Sequence, residues 1–502
     1  TAGDRRIYLE AMVDYNRTFG RHDVNAMLLY NQDELVNNVP GNNLINSLPK
    51  RKQGLAGRLS YAYDGKYMAE VNMGYNGSEN FAKGHRWGFF PSIALGYNIS
   101  EESFFEPLRK VITSMKLRGS WGLVGNDQIG GERFIYMPTI NLSGKGFTTG
   151  IDQNYGLSGP VYTRYENNSI TWEVGEKINL GIDLQLLNSL NIVVDIFRET
   201  RRDIFQKKGT IPTYLGTGNT DVFGNLAEMK NQGLDLSIDY NKAFSKDFYM
   251  NFKGTFTYAH NEITKYDEAP KYAFQSKVGQ SANVSQGYLS NGLFLDEAEI
   301  DRYNQQMGST LGAGDIKYLN VSNMHGYGDD IVDVDDWTWI GNPTVPEIVY
   351  GFGPSFKYKN WDFSFFFQGV AKTSLFMSGF HPFGDNSLRN VLQFVANDRW
   401  SPTNQNVDAK YPRLTRKTSL NNTNPGNSGR TSDYWMRDGS FLKLKNMELG
   451  YTFKRMRFYI SGSNLLTFSK FDLWDPEQGG GSGLKYPTQR VFNVGFQMTF
   501  NN

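Results

Sequence analysis

Apolar and polar residues alternate with a period of two in one stretch of this chain after another. Ile178, Leu180, Ile182, Leu184 and Leu186 share one parity, and Asn179, Gly181, Asp183 and Gln185 share the other. Leu234 to Tyr240 and Phe492 to Phe500 repeat the pattern. Side chains on a strand point alternately to its two faces, so each stretch reads as a strand with one apolar and one polar side. About fifteen such strands are expected, near 7–19, 22–34, 53–64, 66–77, 88–99, 112–124, 172–187, 189–206, 229–241, 246–264, 346–358, 361–373, 440–453, 455–466 and 488–500.

The connections alternate too. Gly20-Arg21, Asp64-Gly65, Asn188-Ser189, 242–245, Lys359-Asn360 and Lys454-Arg455 are tight turns, and 101–111 is the one longer link on that side. The intervening connections, 35–52, 78–87, 125–171, 207–228, 265–345, 374–439 and 467–487, are all longer. Long antiparallel strands with tight turns at one end and long loops at the other describe a transmembrane β-barrel, with short periplasmic turns and long extracellular loops.

The two faces agree with that reading. Met115, Leu117, Trp121 and Leu123 would meet lipid, with Lys116, Arg118 and Ser120 in the lumen; Trp361, Phe363, Phe365 and Phe367 face out, with Asp362, Ser364 and Gln368 inside. A charge on the lipid face costs about 2–4 kcal/mol near the bilayer midplane. Aromatics gather beside the tight turns, as in Tyr61, Tyr63 and Tyr67, or Tyr358 and Trp361. Such rings suit a membrane interface, although aromatics also favour strands in general.

Composition adds limits. The 502 residues carry a net charge of +1, so the overall field implies no nucleic-acid partner. Cys is absent, which removes disulfides and thiolate chemistry. Mean hydropathy is −0.51, and no apolar run approaches the roughly 18 residues of a membrane helix. A barrel with a polar lumen is hydrophilic on average, because only alternate residues meet lipid. An odd strand number is itself informative. Bacterial single-chain barrels have even numbers, and free strand edges are costly in lipid. The chain is therefore expected to be the C-terminal part of a larger barrel.

Several motifs carry a family resemblance through nearly the whole chain. They are Phe90-Pro91-Ser92 with Leu95-Gly96-Tyr97 and Ser100-Glu101-Glu102; Thr171-Trp172-Glu173 followed by Asn179-Leu180-Gly181; Arg437-Asp438-Gly439-Ser440-Phe441-Leu442-Lys443-Leu444-Lys445-Asn446; and Asn464-Leu465-Leu466-Thr467 followed by Asp475-Pro476-Glu477. Together they resemble the barrel of SusC/RagA-type TonB-dependent outer-membrane transporters. The resemblance implies a 22-stranded barrel, of which residues 1–502 would be the C-terminal part, with the plug domain and first strands absent from this chain. It implies TonB-energised import of large nutrients, glycan or peptide oligomers, across the outer membrane of a Gram-negative bacterium. It also implies a SusD-like surface lipoprotein as partner, a plug and N-terminal barrel portion supplied by another or unmatched segment, and TonB acting through that plug. A passive outer-membrane porin and a secreted β-rich glycan-binding protein are the alternatives.

No catalytic constellation is visible, so no enzyme activity is expected. The five His form no metal-ligand spacing. The acidic run 329–336 is a candidate Ca²⁺ loop, since Ca²⁺ takes six to eight oxygens. The resemblance implies an EF-hand-like run here; Asp329, Asp333 and Asp336 keep its later spacing, but Asp330 stands where Gly is expected. A solvated acidic loop is the other reading. Tyr327, Trp337, Trp339 and Trp435 are candidate contacts for substrate or for the lid lipoprotein, because aromatic faces stack on sugars and pack on peptides and partners.

Overall fold

Fifteen strands pair in the order in which the chain makes them. The computed structural model describes residues 3–37, 48–130, 133–212, 214, 220–303, 305–306, 311–327, 329–380, 383, 390–416, 422 and 431–500. The strands are β1 (Asp4–Phe19), β2 (His22–Asn37), β3 (Lys50–Tyr63), β4 (Tyr67–Ser78), β5 (Trp87–Asn98), β6 (Ile112–Asn126), β7 (Glu173–Leu186), β8 (Leu190–Lys207), β9 (Phe223–Ala243), β10 (Phe248–Lys265), β11 (Ile348–Tyr358), β12 (Trp361–Ala371), β13 (Phe441–Phe453), β14 (Met456–Ser469) and β15 (Val491–Met498). Each neighbours the next in one sheet, and β1 and β15 have a neighbour on one side only. This is the all-β, antiparallel sheet that the alternation and turn spacing predict. No helix among the described residues is long and apolar enough to cross a membrane, which says nothing about crossing by strands.

The chain divides into two compact units, Thr1–Leu236 with His260–Ala269, and Ser237–Ala259 with Pro270–Asn502. In the first, tight turns fix the register. Asp64 and Gly65 both have positive φ, 55° and 66°. That is the demand of a type I′ hairpin, whose twist matches that of the strands. The next such turn sits at Leu187 and Asn188, one residue before the expected Asn188-Ser189, because both of these residues take φ near +50°. The link between β5 and β6 is wound into two short 3₁₀ turns, Ile99–Glu101 and Ser103–Leu108.

The faces divide as the parity requires. Leu117, Trp121, Ile178, Leu180 and Ile182 stand exposed on one side of β6 and β7. On the other side Arg118 reaches Asp183 at 2.7 Å and Asp195 at 3.1 Å, so the lumenal charges neutralise one another across three strands. The second unit repeats the arrangement: Trp361 is outward, while Asp362 on the opposite face accepts from Arg457 Nε at 3.1 Å. Aromatics beside the tight turns pair across strands, as Tyr67 does with Tyr97 (5.2 Å, 6°) and Trp361 with Tyr451 (4.7 Å).

The connection between β6 and β7 contains an element that the alternation did not reveal. Thr139–Thr149 and Tyr155–Arg164 form a separate two-stranded ribbon. Its register shifts three times, which is why no clean period of two marks it.

Candidate functional site

In the second unit, the long connections fold into one body. Tyr288 and Tyr318 from the segment after β10, Phe380, Phe383, Trp400, Tyr411 and Trp435 from the segment after β12, and Phe471 after β14 share a hydrophobic core. Three stretches far apart in sequence are therefore welded by aromatic packing. Trp435 is its centre, 0% exposed, with Phe383 at 5.2 Å and Tyr434 at 5.5 Å. Its placement removes it from the surface: this indole anchors the body and offers no face to a ligand. Burial pushes the Tyr411 phenol up to about 12 and raises Tyr434 as well. Burial thus favours the neutral phenol at both, and Tyr434 donates its hydroxyl to the Ala409 carbonyl at 2.8 Å.

The other three candidate aromatics lie on or near one exposed region. Tyr327 is 49% exposed and Trp337 37%. Trp339 is half-buried, its indole N–H donating to the Ser276 carbonyl at 2.9 Å. Tyr327 ends a column of four rings. It lies 4.2 Å from Tyr272, which stacks on Phe274 at 5.5 Å, which in turn stacks on His325 at 4.6 Å. Lys271 lies over the Tyr272 ring and pairs with Asp335, whose hydrogen bond raises the lysine above its ordinary range. Tyr272, Phe274 and His325 were not singled out from the sequence. The Tyr-x-Phe of 272–274 and the His-x-Tyr of 325–327, each putting two rings on one side, are the signal that could have found them.

The acidic run is organised by backbone amides. Asp333 and Asp336 form a capping box around the short turn Val334–Asp336. Asp336, 0% exposed, accepts from Ser322 N at 2.9 Å and from Asp333 N at 2.7 Å. Asp333 accepts from Asp335 N at 2.8 Å, and Asp329 from Ile331 N and Ser322 Oγ, both at 3.3 Å. Among the described residues no three acidic or His side chains converge as metal ligands. Asp329 Oδ1, Asp333 Oδ1 and both Asp336 oxygens thus accept from N–H or O–H donors of the loop itself. Burial raises the Asp336 carboxyl above its ordinary range, and the two backbone donors oppose that rise.

Two of the sequence motifs meet in an ion cluster. Lys443, almost fully buried, pairs with Asp475 and with Glu477, and Lys445 lies 2.8 Å from Glu477. Burial acts to raise both carboxyls, but hydrogen bonds from the lysines outweigh it and hold both below the usual carboxylate range.

Comparison with known proteins agrees with this architecture. Residues 2–465 match the family model described as TonB dependent receptor-like, beta-barrel. The chain is 28% identical over 471 residues to TonB-dependent receptor SusC of Bacteroides thetaiotaomicron, covering 88% of this chain and 43% of that protein. It is 26% identical over 481 residues to TonB-dependent receptor P3 of Formosa agariphila, covering 88% and 45%. The chain thus spans about half the length of these relatives. The solved structure of the RagAB peptide transporter matches with a TM-score of 0.71 at 20% identity, over 99% of this chain and 56% of the matched one, and so shares the fold.

Proposed function

Because the chain belongs to the TonB-dependent receptor-like β-barrel family, we propose that it forms most of the barrel wall and the outer docking surface of an active importer in a Gram-negative outer membrane. The cargo would be glycan or peptide oligomers too large for a passive pore. Energy would come from TonB through a plug domain, and a SusD-like lipoprotein would close the barrel from outside. The observation that carries the reading is the outer-loop body with its own aromatic core. A passive porin needs no such structure, and a secreted binder needs no apolar outward face on strand after strand.

The one-sided pairing of β1 and β15 supports a barrel completed by further strands, since unpaired edges are too costly in hydrocarbon. About seven would bring fifteen to the 22 of plugged transporters. The chain makes no covalent change in its cargo; it binds, shields and admits. The peptide named for the RagAB transporter and the glycan alternative both suit stacked aromatic rings flanked by carboxylates.

The test is uptake by cells expressing the full-length protein, with and without TonB. Loss of oligomer uptake on TonB deletion, with the protein still in the outer-membrane fraction, is expected. Uptake independent of TonB would favour the porin reading.

A further inference from the structure

The outward face of β3 to β5 ends, on the side of the long connections, in a basic recess. Leu55, Leu59, Val71, Tyr75, Phe89, Ile93 and Leu95 stand exposed on that face. The register aligns Leu55, Tyr75 and Phe89, and, two residues further along, Gln53, Gly77 and Trp87. The apolar wall therefore closes at Trp87. Its indole lies over Gly77, where a Cβ would meet the ring at 3.0 Å, and stacks on Tyr75 at 4.8 Å and 16°. Amphipathic rings laid flat where an apolar band ends are the mark of a membrane interface.

Beside Trp87 lies a recess of about 450 Å³ lined by Arg51, Lys52, Gln53, Arg86 and Phe134 among others. Lys50 and Arg133 line the adjoining space. Three of these cations are matched: Arg51 by Glu34, Lys52 by Asp127 and Arg133 by Glu79, each at 2.7 Å. Arg86 spends its Nε on the Phe81 carbonyl at 3.2 Å, and neither it nor Lys50 has a carboxylate partner among the described residues. The site carries more positive than negative charge, and it does so where the wall leaves the hydrocarbon.

We propose that this recess holds the phosphate-bearing headgroup of a membrane lipid. Arg86 faces the phosphate, Arg51 flanks it, and the Trp87–Tyr75 pair packs against the boundary between headgroup and acyl chain. The guanidinium of Arg86 suits a phosphate because its donors form a fixed fork. The inference rests on the outer-membrane reading and adds a ligand on the outside of the wall, distinct from any cargo within it.

The full-length transporter, purified in mild detergent and reconstituted in phosphatidylcholine nanodiscs with or without lipid A, provides the test. Native mass spectrometry should show lipid A retained in preference to phosphatidylcholine. Arg86→Ala should cut that retention about fivefold, the value of one Lys or Arg beside an anionic surface. Arg86→Lys should retain more than Arg86→Ala but less than the parent, because it keeps the charge and loses the fork, which separates both effects from misfolding. Equal retention of the two lipids, or unchanged retention in Arg86→Ala, would overturn the proposal. So would displacement of lipid A by millimolar inorganic phosphate, which would mark a free-anion site. Release of the protein from membranes by carbonate without detergent would instead sink the outer-membrane reading itself.

Discussion

Lys443 Nζ lies 2.9 Å from Glu477 Oε2, although the two residues are 34 positions apart and the lysine is 1% exposed. A buried ammonium persists only when its charge is matched, and Asp475 and Glu477 match it together. The pair ties the outer end of β13 to the connection after β14. Two motifs that look independent in the sequence are thus the two halves of one clamp.

Removing the cation should release the connection while leaving the strands in place. Lys443→Met strands two carboxylates against a single remaining neighbour, Lys445. Breaking one side of a buried pair costs about 3–5 kcal/mol. Limited proteolysis should show faster cutting within 467–487 and no change in the tight turns. Unchanged protection would mean that the clamp contributes nothing to the fold of this segment.

The same clamp sets a pH dependence. Asp475 and Glu477 are held below the ordinary carboxylate range, so their contribution is fully present above that range, near pH 4, and is lost as pH falls through the lowered values. Hydrogen exchange of 467–487, taken relative to the intrinsic rate at each pH, should be flat from pH 8 to pH 5 and rise only below about pH 4. A rise centred near pH 6 would contradict the assignment to these carboxylates.

The strands were legible because a half-buried strand writes its environment into every second residue. Ile178 to Leu186 and Trp361 to Phe367 needed nothing beyond parity, and the tight turns fixed where each run stopped. The outer-loop body was not legible. Its core is made by single aromatics such as Tyr288, Tyr411 and Trp435, which follow no local period and meet only in three dimensions. For the same reason Trp435 looks like a binding residue in the sequence and is a core residue in the fold. The acidic run is ambiguous in another way: carboxylate spacing alone does not distinguish oxygens that await a cation from oxygens that cap backbone amides.

That distinction is testable. If Asp333 and Asp336 serve the backbone, adding or chelating Ca²⁺ should leave proteolysis of 320–340 unchanged. Asp336→Ala should speed it in both conditions, since losing a cap costs about 0.5–2 kcal/mol. Protection by Ca²⁺ in the parent protein, lost in the variant, would restore the metal reading.

The outer surface can be probed without dismantling it. Deleting 374–439 would remove Phe380, Phe383, Trp400, Tyr411 and Trp435 together, and the residues around Tyr288 and Tyr318 would lose their core. A lid lipoprotein lost from such a deletion would therefore say little about docking. Tyr327 and Trp337 are the better targets, because each is exposed, Tyr327 lies outside that core and Trp337 meets it only edge-on, 6.0 Å from Tyr288. Truncating a central interface aromatic costs 2 kcal/mol or more, which is about thirtyfold in affinity. In co-purification from detergent, Tyr327→Ser with Trp337→Ser should strip the lipoprotein from the barrel at unchanged thermal stability. A Trp339→Phe variant serves as the internal control: it keeps an aromatic ring, loses the donor to Ser276 and should keep the partner. Full retention in the double variant would move the docking surface away from the aromatic column, leaving those rings free for cargo.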